Sequence, residues 1–153
     1  MRTLMRAVAV TAVLALAAAC GSSGSGTPTS SQAPEPTYSA VVLNCDQYPV
    51  RATNLYSHAS KSGLNIGTTN SIDGYVTQMQ EALADLELNA PECAPAATEE
   101  LAALGDAITA YAEAYEPTAE AADANNAALL ALAAQGRLTW TAMGLDPAQW
   151  DGV

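Results

Sequence analysis

The amino-acid sequence has 153 residues, which allows one domain of ordinary size with a single hydrophobic core. It contains no Phe and two Trp, so its apolar half consists largely of Ala, and such small side chains favour closely packed helices. Apart from Arg2 and Arg6 near the N-terminus, three basic side chains face sixteen acidic ones, and this negative charge argues against nucleic acid or anionic lipid headgroups as partners.

Residues 1–19 have the pattern of an export signal. Basic Arg2 and Arg6 precede an apolar run over residues 7–19, which is shorter than the roughly 20 apolar residues that a membrane-spanning helix needs. No basic stop-transfer segment follows the run. We therefore expect a signal peptide that is cleaved.

The leader ends in Leu16, three alanines and Cys20. This stretch resembles the lipobox of bacterial lipoproteins, although Ala17 stands where that motif usually has Leu. The resemblance covers the leader alone. It implies that Cys20 receives a diacylglycerol thioether, becomes the mature N-terminus and anchors the chain at the extracytoplasmic face of the cell membrane. The alternative is an ordinary secretory leader cut near Ala19, with Cys20 unmodified.

Composition also bears on the source and on the domain boundaries. Abundant Ala, Thr, Gly and Pro with one Lys are typical of a high-GC genome and favour an actinobacterial source. Residues 20–43 begin with Gly, Ser, Thr and Pro and predict a disordered tether. Residues 44–144 predict the helical domain, and residues 145–153 a C-terminal tail. Because Trp140 and Trp150 lie in or near this tail, we interpret them as a docking element.

From Asn44 onward, apolar residues recur at helical spacing. The pattern predicts an all-α fold, a small antiparallel bundle of three to four helices with one disulfide. The first helix is predicted from Cys45 or Tyr48 to Ser62. Gly63 is expected to end it in the left-handed conformation.

The second helix is predicted to begin after a cap at Ser71 and to end near Leu88 or Asn89, because Pro91 cannot continue it. It has the clearest amphipathic pattern in the chain. Its apolar stripe consists of Ile72, Tyr75, Val76, Met79, Leu83 and Leu86.

The third helix is predicted to start at Thr98, whose hydroxyl is expected to cap the free amides. Its heptad-like seam consists of Leu101, Leu104, Ile108, Tyr111 and Tyr115. Pro117 interrupts the pattern, so residues 98–135 form either one kinked helix or two helices. We favour two helices or a sharp kink, since one straight helix would measure about 57 Å and extend well beyond the helices it packs against. Gly136 or Gly144 is expected to end the last helix.

The remaining cysteines, Cys45 and Cys93, are expected to form a structural disulfide in an oxidising compartment. If the first two helices form an antiparallel hairpin, the end of the second returns Cys93 to the start of the first. A reactive redox pair is the alternative, but it usually has C-x-x-C spacing.

His58 is the single histidine, which excludes metal sites and acid–base mechanisms that need two or more imidazoles. We interpret it as an exposed residue or one that complements the helix dipole, with a haem or metal ligand as the alternative. Since the sequence contains no catalytic motif, we expect no enzymatic activity, no metal and no cofactor.

Four carboxylates repeat every seven residues, at Glu99, Asp106, Glu113 and Glu120. Such a stripe could hold Ca²⁺ or face a basic partner. Because it falls opposite the apolar seam, we interpret it as the solvated face of an amphipathic helix.

Five tyrosines fall on or near apolar faces, and all but the first are candidates for a pocket lining: Tyr48, Tyr56, Tyr75, Tyr111 and Tyr115. They are expected to pack in the core, but if they converge they would line a ligand pocket. The sequence thus predicts a lipid-anchored, non-enzymatic module of the cell envelope that binds an envelope protein or has a structural role. The alternative is a carrier that holds a small apolar or aromatic ligand between its helices. A tyrosine-lined pocket would favour the carrier, and an exposed tryptophan patch the interaction module.

Overall fold

The computed structural model describes residues 38–153, which fold as an all-α antiparallel bundle. Its α-helices are α1 (Tyr48–Gly63), α2 (Asp73–Cys93), α3 (Thr98–Ala114) and α4 (Ala122–Ala142). Short 3-10 helices occupy Cys45–Gln47, Pro95–Ala97 and Pro147–Gly152. The predicted fold class is confirmed. The predicted leader, the lipidation site Cys20 and most of the predicted tether lie outside the described residues.

The helices pack as two hairpins, α1 against α2 and α3 against α4, with α2 also packed against α3. The predicted apolar faces meet in the core, where the largest fully buried aliphatic side chains are Leu55, Met79, Leu86, Leu101, Leu104, Ile108 and Leu132. Helices α1 and α4 contact each other less, and the C-terminal 3-10 helix packs against both. No helix within residues 38–153 combines the length and the apolar character needed to cross a bilayer.

Helix α2 continues past Pro91 to Cys93, so the prediction that it ends near Leu88 or Asn89 is wrong. A proline disrupts a helix because it lacks an N–H group and its ring crowds the carbonyl one turn earlier. Here it falls in the last turn, and just beyond the helix the Ala94 amide still donates to Ala90 O at 2.9 Å. The cost of the proline is therefore confined to one bond near the helix end.

Neither predicted helix cap is found. Ser71 Oγ accepts a hydrogen bond from the Asp73 amide at 3.0 Å, but the N-cap of α2 is Ile72, so the predicted cap at Ser71 is wrong by one residue. Thr98 already has helical dihedral angles, and its hydroxyl donates to Pro95 O at 3.2 Å. The predicted cap at Thr98 is therefore wrong, because the preceding 3-10 helix leads directly into α3.

Of the three glycines considered as helix ends, Gly136 lies inside α4, and Gly63 and Gly144 differ in their roles. Gly63 is the last residue of α1 and does not adopt a positive φ. A Cβ at this position would come within 2.7 Å of Leu129 Cδ2. Gly63 therefore allows α4 to approach α1 closely, and it does not form the predicted left-handed cap. Gly144 has a φ of 74°, and its amide and that of Leu145 donate back to the last turn of α4, as in a Schellman motif.

Residues 115–121 form a loop between α3 and α4, so the chain has two helices here rather than one kinked helix. The buried Asn125 of α4 holds this loop. Its side chain donates to Glu116 O at 2.7 Å and accepts from the Glu116 amide at 3.0 Å. Pro117 lies within the loop, where a missing amide costs no helical hydrogen bond.

Cys45 and Cys93 form the predicted disulfide, with Cα atoms 5.1 Å apart. It joins the 3-10 helix that precedes α1 to the last residue of α2. The α1–α2 hairpin is thus closed covalently at one end, as its antiparallel topology predicted.

Trp140 and Trp150 are 0% and 1% exposed, so the interpretation of these residues as a docking element is wrong. Their ring centroids lie 5.1 Å apart in a T-shaped arrangement, and Trp150 also packs edge-on against Tyr56. The chain after Gly144 folds back as the C-terminal 3-10 helix and carries Trp150 into the core. Residues 145–153 therefore belong to the domain.

Candidate functional site

The four tyrosines considered as a pocket lining lie in different surroundings. Tyr56 packs against Trp150, and the ring of Tyr75 lies 6.4 Å from that of His58. Helical spacing placed each tyrosine correctly on or near an apolar face. It did not determine which neighbouring helix each face meets.

Tyr111 and Tyr115 form a T-shaped pair with centroids 6.1 Å apart. The Tyr111 hydroxyl donates to Ser62 Oγ at 3.1 Å, and burial raises its pKa. Tyr115 donates to Asn65 O at 2.9 Å, and burial raises its pKa as well. Both hydroxyls thus join α3 to the end of α1 and the loop after it.

His58 is half-buried on α1, and its Nδ1 atom is buried without a hydrogen-bond partner. Burial, followed by the positive charges of Lys61 and Arg51, lowers the pKa of His58. The interpretation as an exposed residue is therefore wrong. Within residues 38–153, no group of three or more His, Cys, Asp or Glu side chains is placed to hold a metal ion.

The described residues begin with a segment that has no regular secondary structure, residues 38–43, and that lies against α2. We call it the entry segment. The buried carboxylate of Asp85 accepts hydrogen bonds from the Tyr38 hydroxyl at 2.8 Å and from the Val41 amide at 2.7 Å. It also forms an ion pair with Arg51, with Nε and Oδ2 2.6 Å apart. The domain therefore begins earlier in the chain than its composition suggested.

Asn89, one turn after Asp85, holds the second half of the entry segment. Its Oδ1 accepts from the Leu43 amide at 2.8 Å, and its Nδ2 donates to Val41 O at 2.9 Å. A cavity of about 340 Å³ lies beside this contact, lined by Leu43, Asp46, Gln47, Val50, Arg51 and Asn54. Asp85 and Asn89 were not predicted from the sequence as functional residues. Two polar residues four apart beside the apolar stripe of α2 were the available signal.

An apolar groove of about 270 Å³ lies between α3 and α4. Its lining residues are Ala107, Ala110, Tyr111, Ala114, Ala128, Ala131 and Leu132. Tyr111 and Leu132 are buried, whereas Ala110, Ala114 and Ala131 are exposed. We call this surface the α3–α4 groove. Tyr111 is the member of the tyrosine set that lines it.

One side of the groove is acidic. Residues seven apart lie on nearly the same side of a helix, and Glu99, Asp106 and Glu113 therefore form a stripe along α3. All three are exposed. At 100° per residue, this stripe falls beside the line of Ala107, Ala110 and Ala114, and it borders the groove. We call these three residues the acidic stripe.

The other side of the groove is uncharged. On α4, helical spacing places Ala124, Ala127 and Leu138 beside the lining residue Ala131, and Leu138 is 56% exposed. From Thr98 to Ala142 the chain has seven acidic side chains and one basic side chain, Arg137. The groove thus lies between one acidic and one apolar border.

No known protein family model matches this chain, and neither a curated protein nor a solved structure shows significant similarity to it.

Proposed function

We propose that the chain is an extracytoplasmic lipoprotein, anchored by lipid on Cys20, whose helical domain acts as a non-enzymatic protein-interaction module. The observation that carries this proposal is the reinforced junction at the start of the domain. Asp85 and Asn89 bind the entry segment, and the Cys45–Cys93 disulfide follows it directly. A junction of this kind suits a domain that is held by a tether at its N-terminal end.

The junction lies where tension on the tether would act first. A pull on residue 38 meets the contacts of Asp85, and then those of Asn89. Beyond them, the disulfide passes the load from Cys45, before α1, to Cys93, at the end of α2, across the open end of the hairpin. Helices α1 and α2 are therefore protected from unravelling at their open end.

The disulfide also supports the proposed compartment. Structural disulfides persist outside the cytoplasm and are rare in reducing compartments. Two features of the chain, an export-type leader and a paired Cys45 and Cys93, therefore agree on an extracytoplasmic address.

The α3–α4 groove supports the interaction role. Its volume of about 270 Å³ is small and its lining is apolar, whereas pockets that enclose ligands usually measure about 300–1,000 Å³. Exposed alanines border it, and they let another backbone approach closely. A shallow surface of this kind suits a macromolecular partner better than an enclosed small molecule.

A carrier of a small aromatic ligand is the second candidate, because the ring of Tyr111 lines the same groove. Native mass spectrometry of the protein from its membrane tests this candidate. A co-purifying small molecule that is lost on substitution of Ala110 by Gln would favour the carrier.

The anchor is tested by intact mass spectrometry of the protein from its native membrane, with a Cys20→Ser variant as the control. We expect a mature chain that begins at a diacylglyceryl-modified Cys20 and gains the mass of two hydrogens on reduction. The Ser variant should carry no lipid and leave the membrane fraction. An unmodified Cys20 in a membrane-free protein would overturn the proposed anchor.

A further inference from the structure

We infer that the α3–α4 groove binds a basic amphipathic helix of a partner protein, an inference that rests on the proposed interaction role. The groove offers an apolar floor of Tyr111 and Leu132. The acidic stripe runs along one border and uncharged side chains along the other. The occupant that matches these borders has an apolar face and positive charge along one edge.

The apolar part of the argument comes from the size of the lining side chains. Ala107, Ala110, Ala114, Ala128 and Ala131 project one methyl group each, so a partner helix can approach to the short end of the usual interhelical distance, about 8 Å. Leu138 stands 56% exposed beyond the groove and lengthens its apolar border. A helix laid along α3 and α4 would cover these groups from water.

The charged part of the argument comes from the spacing of the acidic stripe. Its carboxylates recur every seven residues, about 10.5 Å along the helix axis. A partner helix with Lys or Arg once per heptad, on the edge that faces α3, brings a positive charge to each of them. Because the border formed by α4 is uncharged, the opposite edge of the partner helix needs no charged side chains.

The same charge distribution disfavours other occupants. From Thr98 to Ala142 the chain is strongly acidic, so two copies joined through the groove would bring two negatively charged surfaces together, and like charges in an interface oppose association. Anionic polymers are repelled for the same reason. A basic protein segment is the partner class that the electrostatics of this surface favour.

Binding of model peptides to the full chain in detergent micelles tests the inference. The probe is a fluorescent Ala- and Leu-rich helix of about three heptads with one Lys per heptad on a single edge. One matched peptide has Glu in place of each Lys, and another has the same composition with its Lys residues scattered around the helix. We expect the Lys-edge peptide to bind most tightly, with an affinity that falls as salt is added.

Substitutions in the groove locate the binding site. The double variant Ala110→Gln and Ala131→Gln places long side chains across the groove. It should weaken peptide binding about tenfold or more, since each substitution removes one well-packed contact with the peptide. Both positions are exposed, and Gln is a good helix former, so the fold is retained. Leu130→Gln is the matched control, because Leu130 is 50% exposed on α4 outside the groove. It should leave the affinity unchanged.

Substitutions in the acidic stripe isolate the electrostatic part. Asp106→Asn with Glu113→Gln should weaken binding of the Lys-edge peptide by about threefold per carboxylate and reduce its salt dependence. The control pair is Asp73→Asn with Glu92→Gln, two exposed acids on α2. This pair should have less than half the effect on the affinity.

Three results would overturn the inference. These are equal binding of the Glu peptide, equal binding to the groove double variant, and concentration-dependent dimers of the chain alone that the groove variant abolishes. None of them bears on the lipid at Cys20, which the mass measurement decides separately.

Discussion

The indole of Trp150 lies directly against the backbone of Gly136 in α4. A Cβ at residue 136 would come within 2.6 Å of Trp150 Cζ2 and still closer to Cδ2 and Cε2. The missing side chain of Gly136 is therefore the space in which the C-terminal 3-10 helix docks. This contact also accounts for the burial of Trp150 at 1% exposure.

Substitution of Gly136 by Ala should destabilise the protein, because the new methyl group displaces a rigid indole. Overpacking of this kind costs about 1–3 kcal/mol, and it outweighs the gain of about 1 kcal/mol in helix propensity. Chemical denaturation followed by tryptophan fluorescence measures the change. Gly74→Ala is the control, since a Cβ there meets nothing within 4 Å, and it should leave stability equal or higher. An unchanged stability of Gly136→Ala would show that the indole moves away freely.

Replacement of Cys45 and Cys93 by Ala should lower the free energy of unfolding by about 4 kcal/mol in the chain-entropy model. The bond closes a loop with a sequence separation of 48, which accounts for the size of this effect. Denaturation of the variant, compared with the reduced wild-type protein, measures it. Similar losses in both would assign the effect to the bond, whereas a loss confined to the variant would assign it to the substituted side chains.

Asp85→Asn should destabilise the domain by about 2 kcal/mol, below the usual cost of breaking a fully buried pair because the Arg51 side chain is 24% exposed. The substitution retains the shape of the side chain and removes its charge. It should also speed hydrogen exchange at the Val41 amide, which donates to Asp85. Tyr38→Phe removes the hydroxyl that donates to Asp85 and accepts from Arg51 Nη2, and it should cost about 1 kcal/mol because this contact is partly exposed. Unaltered exchange at Val41 in Asp85→Asn would contradict a role for Asp85 in holding the entry segment.

The sequence predicted those features that depend on local periodicity. The seam of Leu101, Leu104 and Ile108 is buried as expected, and the Cys45–Cys93 pairing followed from the topology of a hairpin. It did not predict the position of Trp150, because the slot at Gly136 is formed by residues of two separate elements.

The candidate surfaces were predictable to different degrees. The acidic stripe was visible in the heptad spacing, and a basic partner was one of the interpretations considered for it. Its position beside a groove depends on how α3 packs against α4, which spacing alone does not determine. Asp85 was hidden for another reason, since a charge within an amphipathic helix is usually solvated and here it receives the entry segment.

The stability of the domain should fall as the pH is lowered through about 6.5, in part because of His58. The pKa of this side chain is lowered from 6.5 in the native state, chiefly by burial. The unfolded chain therefore binds the proton at a higher pH than the native chain does. Within this window the unfolded state carries more protons, so the free energy of unfolding rises with pH and is reduced on acidification. The reduction levels off below the native pKa.

Thermal unfolding of the wild-type protein and of His58→Gln between pH 7.5 and 5 isolates this contribution, since other groups titrate equally in both. As the pH is lowered across this window, the Tm of the wild-type protein should fall by more than the Tm of the variant. The chemical shift of the His58 Hε1 proton gives the native pKa directly, and Lys61→Gln should raise it because one of the nearby positive charges is removed. A native pKa at or above 6.5, or an equal loss of Tm in the two proteins, would show that the half-buried imidazole is as well solvated as in the unfolded chain.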